Sequence, residues 1–260
     1  MTRPRMTAVE PRFSVRLARD AADLLASQRL RYRVFVQELG GDGPMEDHLA
    51  GLERDRFDPV FEHLVLVDDA RTPGQHVVGV YRLMTDAGAA LAGQYYSEDE
   101  YDLAPLRNSG RRLMELGRSC LDPAYRGGAA MYHLWHGLAQ IVLARGVDIL
   151  FGVASFPGTD PAALAQPLSL LHHVHLAPPA LRVRALRRQP MALVPAAAID
   201  RRAAMLATPA LIKAYLRLGG FVGDGAFIDH AFNTTDVCLV MDIARMNPGQ
   251  RALYTKVRAA

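Results

Sequence analysis

Cysteine is scarce in this chain, and long uninterrupted apolar stretches are missing. The two cysteines, Cys120 and Cys238, both sit in apolar runs. That suits small buried side chains in a reducing compartment rather than a disulfide framework or a zinc site. The longest apolar runs are cut by Arg145, Asp148, Asp200, Arg201 and Arg202, so no segment reads as membrane-spanning. The opening MTRPRMTAVEPRF lacks the apolar centre of a signal peptide, which points to the cytoplasm. Nor does any continuous Lys/Arg tract cover a face. With a formal charge of +3 and a pI near 9.0, the chain is not expected to bind nucleic acid. His172, His173 and His175 have no carboxylate or cysteine at ligand spacing, so no metal is expected.

What is present suits one sizeable core. At 260 residues and 50% hydrophobic, the chain reads as a single α/β domain over 1–260, with a helical elaboration at about 156–218. Phe13, Val15 and Leu17 alternate with polar or small residues as in a half-buried strand. Asp20 caps a helix of about five turns carrying Leu24, Leu25, Tyr32, Phe35, Val36 and Leu39, which stops at Gly40-Gly41. The polar stretch from Gly40 to Asp58 is long enough to suggest a functional loop. HLVLVDD and HVVGVYRLM predict two hairpin-linked strands, and another long loop precedes the strand LMELGRSCL. MYHLWHGLAQIVLARG and VDILFGVAS then complete a strand, turn, helix, parallel strand unit. Phe156 to Arg188 reads as irregular. TPALIKAYLRLGG predicts a helix capped by Thr208 and ended by Gly219, and TTDVCLVMDI a last strand. LRVRALRR, if helical, groups Arg184, Arg187 and Arg188 into a basic face for an acidic partner or an anionic lipid surface.

The chemistry concentrates in LMELGRSCLDPAYRGGAAM, residues 113–131. A strand ending in Asp122-Pro123, then Arg126-Gly127-Gly128 before an amphipathic helix, leaves helix N–H groups beside glycines that permit close approach. This is an anion site suited to a phosphate. Gly117, between Glu115 and Arg118, permits a bulge, without which the two side chains would lie on opposite faces.

The Tyr-Arg-Gly turn after the fourth strand resembles the GNAT N-acyltransferases. The resemblance implies a mixed, mostly antiparallel central sheet with splayed parallel strands 4 and 5 and helices on both faces. Ala129 and Met131 replace the later small residues of the usual Arg/Gln-x-x-Gly-x-Gly/Ala pattern, which favours a single phosphate over a pyrophosphate. Arg31-x-x-x-Phe35, Asp55-x-x-Asp58, Gly79-x-x-Arg82-Leu83 and Glu115-x-x-Arg118 resemble acyl-homoserine-lactone synthases. The chain-wide match, including FDPVFEHLVLVD, LFGVASFPGTDP and VGDGAFIDHAFNTTDVC, is similar to ornithine lipid N-acyltransferases.

That resemblance implies transfer of a 3-hydroxyacyl group from acyl carrier protein to the α-amine of ornithine. No cofactor is implied beyond the carrier's phosphopantetheine arm, and the product implies peripheral contact with inner-membrane lipid. Glu115 and Arg118 become the catalytic candidates. Arg31, Phe35, Asp55, Asp58 and Arg82 are candidates for the acceptor, with Asp55 and Asp58 suited to its cations and Arg31 or Arg82 to its carboxylate; Asp224, Asp229 and Asp236, among Gly223, Gly225 and Asn233, read as turn formers, and the resemblance implies that they are acceptor ligands. Cys120, Leu121, Tyr125, Arg126, Gly127, Gly128, Ser155 and Phe156 are candidates for the donor arm, with backbone N–H groups near Cys120 and Leu121 for the oxyanion. Tyr125, His172, His173 and His175 are candidate acids for the leaving thiolate. Glu115 has three open roles: recognising the acceptor, acting as base, or pairing with Arg118. Two alternatives remain, a lactone synthase that consumes S-adenosylmethionine and a non-catalytic acyl-carrier or lipid-binding module.

Overall fold

The computed structural model describes residues 10–246 and residue 249; the first nine, read above for a leader segment, lie outside it. The alternating run forms β1 (Phe13–Leu17). Asp20 caps α1 (Ala21–Arg31), its carboxylate accepting from the N–H groups of Ala22 and Asp23. The helix then widens into a π-helical segment over Tyr32–Glu38. The polar stretch that follows pairs Glu46–Asp47 with Leu52–Glu53. β2 (Glu62–Asp68) and β3 (Val77–Thr85) form the expected hairpin.

The next connection, read as a loop, contains a helix at Asp86–Ala92 and a 3₁₀ turn at Tyr96–Asp99. β4 (Leu113–Leu121), α2 (Ala130–Ala144) and β5 (Ile149–Pro157) are the expected parallel unit. Within the elaboration, α3 (Ala165–His175), α4 (Arg201–Ala207) and α5 (Ala210–Arg217) precede β6 (Phe221–Val222), β7 (Phe227–Asp229) and β8 (Thr234–Asp242).

The strands make one eight-stranded sheet in the order β1-β2-β3-β4-β5-β8-β6, with β7 added to β8. Every pair is antiparallel except β4–β5. Alternation along β2 assigns its faces. Leu64 and Leu66 join Leu134 and Trp135 of α2, while Val65 and Val67 pack with Ala26, Leu30 and Val34. Helices therefore cover both faces, as the family resemblance implied.

Three local expectations are corrected. α3 lies inside the segment read as irregular; its Pro167 falls in the first turn, where a missing N–H costs nothing. LRVRALRR is not helical. Arg184–Ala185 pairs with Tyr101–Asp102, Arg184 and Arg188 both bind Asp224, and Arg187 lies over Phe227, so no three-arginine face forms. Thr208 does not cap α5, because its hydroxyl donates back to the Ala204 carbonyl of α4 (2.9 Å).

Candidate active site

β4 and β5 are in register only from Leu113–Glu115 to Ile149–Phe151. Beyond that they diverge and open a cleft lined by Leu116, Gly117, Arg118, Ser119, Gly152, Val153 and Ala154. Gly152 makes the last close approach: a Cβ there would sit 2.1 Å from the Leu116 carbonyl oxygen. On its other side β4 bulges against β3, where the register shifts between Val80 and Arg82. The expected bulge is thus present, but Arg118 rather than Gly117 takes the left-handed backbone (φ 50°). A long side chain in that region is held by its surroundings.

Those surroundings are a neutral network of six charges, four of them (Arg31, Glu53, Asp58 and Arg82) buried and Asp55 and Arg118 nearly so. Arg31 binds Glu53 and Asp58 (2.7 Å to Asp58), Arg82 binds Asp55 and Asp58 (2.8 Å each), and Arg118 binds Glu53 (3.0 Å) and Asp55 (3.2 Å). The Arg118 guanidinium is also sandwiched between the rings of Tyr96 (4.8 Å) and Phe232 (4.6 Å). Burial alone would raise the three carboxyl groups; the arginines outweigh it and hold all three below the usual carboxylate range. Arg31, Asp58 and Arg82 were expected to meet the acceptor. Instead they are almost fully enclosed and face one another, as does Asp55. Glu53, half of the anchor for Arg118, lies in the polar loop and was not singled out from sequence.

Glu115 is not the partner of Arg118. Its oxygens accept from the backbone N–H groups of Tyr96 (2.8 Å) and Ser97 (2.6 Å) and from the Ser97 hydroxyl, so it anchors the 3₁₀ turn. Burial pushes it up to about 7 against those hydrogen bonds. The signs give a pH prediction. The network's stabilisation is present above the ordinary carboxylate range and is lost on acidification. Glu115, raised from 4.5, stabilises below that value and loses its contribution as pH rises through about 7. Urea midpoints are expected to peak near the ordinary carboxylate range, about pH 4–5, and to fall below it and again toward pH 7; a monotonic profile would refute this.

The cleft continues into a cavity of about 250 Å³, lined among others by Phe35, Tyr96, Glu100, Arg118, Ser155, Asp229, Phe232, Asn233 and Asp236. Of the expected site residues, Phe35, Arg118, Ser155, Asp229 and Asp236 meet here. Glu100 was missed in sequence, because SEDEYD reads as a solvated acidic run.

On the donor side, the ladder assigns the backbone. Cys120 faces Val80, and Asp122 N–H donates to the Val78 carbonyl (2.9 Å). Leu121, between them, turns its N–H and C=O away from β3. Its carbonyl receives the Arg126 guanidinium (3.2 and 3.3 Å). Leu121 N–H therefore points to the cleft side and Cys120 N–H does not. Burial pushes the Cys120 thiol up to about 12, which fits packing. Gly127 (φ 77°) and Gly128 lie in the open before α2, whose first turn has no side-chain cap. Tyr125 faces elsewhere. Its hydroxyl donates to Asp68 (2.6 Å), and burial with that bond raises it, so it is no acid for a thiolate. Phe156 is buried in the main core. His172 and His175 are lowered by burial, and His173 meets the Val194 carbonyl; none of the three lines the cavity.

Residues 30–136 match the family described as acetyltransferase (GNAT) domain. The chain is 58% identical to L-ornithine N(alpha)-acyltransferase of Rhodobacter capsulatus, covering 96% of this chain and 98% of that one. The chain belongs to the L-ornithine Nα-acyltransferases. The Brucella abortus member is 44% identical over 93% of this chain and 88% of its own. Among solved structures, FeeM, an N-acyl amino acid synthase from uncultured soil microbes, superposes with a TM-score of 0.51 at 14% identity, covering 90% of this chain and 93% of its own. The acyl-homoserine-lactone synthase LasI gives 0.51 at 14%, covering 96% and 100%. At such identity they share only the fold with this L-ornithine Nα-acyltransferase family member. No helix among the described residues is long and apolar enough to cross a membrane.

Proposed function

We propose that this chain transfers a 3-hydroxyacyl group from the phosphopantetheine arm of acyl carrier protein to the α-amine of ornithine, making an acyl-ornithine for lipid synthesis. One observation carries the reading: the cleft between β4 and β5 runs at Arg118 into a carboxylate-bearing cavity, so a thioester on one side meets an amine on the other. The thioester lies along the cleft, its phosphate at Gly127–Gly128 and the start of α2. The α-amine attacks the carbonyl carbon, Leu121 N–H donates to the developing oxyanion, the C–S bond breaks, and the ammonium proton passes through water to the leaving thiolate. An α-amine near 8 sheds its proton more readily than a side-chain amine near 10.4, so the free α-nitrogen is the better nucleophile.

Arg118 presents positive charge to the acceptor's carboxylate. Glu115 is a positioning residue, since it holds the turn that carries Tyr96 and Glu100 rather than lining the cavity. Exposed Arg33 and half-buried Arg71, both paired with Asp122, and Arg126, paired with Glu38, give the donor mouth charge for an acidic carrier. Peripheral contact with cytoplasmic membrane lipid follows from the acyl chain on the product.

The test is mass spectrometry of reactions of purified protein with 3-hydroxyacyl carrier protein and ornithine. Acyl-ornithine with the acyl group on the α-nitrogen is expected. Release of methylthioadenosine from S-adenosylmethionine would instead show lactone synthesis, and acyl retention without turnover a binding module. Glu115→Ala is expected to raise the acceptor KM about tenfold with a smaller change in kcat; a kcat loss of about 10²-fold or more at unchanged KM would make Glu115 the base.

A further inference from the structure

Glu100, Asp229 and Asp236 reach the cavity from three places: the end of the 3₁₀ turn, the end of β7, and β8 opposite Ser155. Their carboxylate oxygens lie within 4.8 Å of one another. Glu100 is 5% exposed and Asp236 3%; the Ser155 and Thr234 hydroxyls lie beside Asp236, yet Glu100 Oε2 and Asp236 Oδ1 close no hydrogen bond among the described residues. Asp229 differs, one of its oxygens holding the N–H groups of Ala231 (2.8 Å) and Phe232 (3.1 Å). Among the described residues, the sole cation in this lining is Arg118, and its charge is already shared with Glu53 and Asp55. Three clustered carboxylates thus face an enclosed space with no counter-ion of their own. Buried acceptors without donors are costly, and a cation entering the cavity relieves both the lost hydrogen bonds and the mutual repulsion. Burial first, then the neighbouring Asp236 and Asp229, raises Glu100 well above the ordinary range, the behaviour of a site built around a missing positive charge.

We propose that Glu100, Asp229 and Asp236 seat the δ-ammonium of ornithine and so determine which of its two nitrogens is acylated. This rests on ornithine being the acceptor. An ammonium among carboxylates keeps its proton and has no lone pair to offer. With the acceptor's carboxylate at Arg118, the α-amine lies toward the cleft and is released from that influence. The cluster therefore widens the intrinsic difference between the two amines instead of merely adding affinity.

The experiment compares ornithine with norvaline, which has the same carbon chain without the δ-amine, using the full chain and acyl carrier protein donor. The wild type is expected to favour ornithine by about 100-fold in kcat/KM, the discrimination available to a site whose charged groups are left unpaired by the wrong substrate. In Glu100→Gln and Asp236→Asn the ratio is expected to collapse by about tenfold or more, ornithine falling toward the norvaline level chiefly through KM. A second readout does not depend on turnover. Ornithine is expected to raise the melting temperature of the wild type, norvaline is not, and the variants are expected to lose the ornithine shift.

An unchanged ratio in folded variants overturns the proposal, as does a parallel fall on both acceptors. Loss of ornithine turnover on chelation, restored by Mg²⁺ or Ca²⁺ in the wild type but not in the variants, would make the cluster a metal seat and overturn it as well. If the wild type acylates neither acceptor, the activity reading has failed, a result distinct from all of these.

Discussion

Asp58→Ala is expected to lower folding stability by about 3–5 kcal/mol, the cost of leaving buried charges uncompensated. For a chain of this size that corresponds to a fall in melting temperature of roughly 6–20 °C. Asp58 binds both Arg31 and Arg82 and also accepts from Gln28 (2.8 Å). The two guanidinium groups are fully enclosed and have no water to turn to. Differential scanning calorimetry checks this, with Arg54→Ala as the contrast. Arg54 pairs with Asp47 at the surface, side chain 57% exposed, and its loss is expected to cost less than about 1 kcal/mol. Equal effects from the two substitutions would mean that the network is solvated and does not hold Arg118.

Gly152→Ala is expected to remove most acyl transfer and to destabilise the fold by about 1–3 kcal/mol, the usual cost of overpacking. The obstacle is backbone, not a movable side chain. A methyl 2.1 Å from the Leu116 oxygen forces β4 and β5 apart where their pairing ends, and displaces Gly117 and Arg118 with it. A tenfold or greater loss in kcat/KM for the acyl donor, with circular dichroism unchanged, is the expected pattern. Gly74→Ala, in a surface turn with no neighbour to its added carbon but with φ of 86°, is the control: it carries backbone strain of about 1 kcal/mol without touching the cleft. Full activity in Gly152→Ala would remove the narrow divergence point from the mechanism.

The fold was legible wherever local periodicity and burial coincide. β1, the β2–β3 hairpin and β4-α2-β5 all announce themselves because each meets a core on at least one side. α3 was hidden by Pro167 and its histidines, and LRVRALRR misled because charge spacing says nothing of the strand at Tyr101 that pairs with it. The site divides along the same line. Glu115 and Arg118 were recognisable as important from their place in an apolar strand, but their partners, Ser97 and Glu53, are 18 and 65 residues away and only the folded chain brings them together. Arg31, Asp58 and Arg82 were each assigned to the acceptor, whereas in the fold they bind each other. Glu100 gave no signal because its acidic neighbours are solvated and it is not.

The six-charge network is internally compensated and mostly enclosed, whereas Arg33, Arg71 and Arg126, at the proposed donor mouth, are partly open to solvent. Ionic strength therefore acts on them separately. Above about 0.5 M salt, where screening lengths shrink to a few ångströms, docking of the proposed carrier is expected to weaken while the framework around Arg118 keeps its geometry. A salt titration of the donor KM, run beside the melting temperature, turns this difference in exposure into a measure of how much of the enzyme's encounter with its partner is electrostatic.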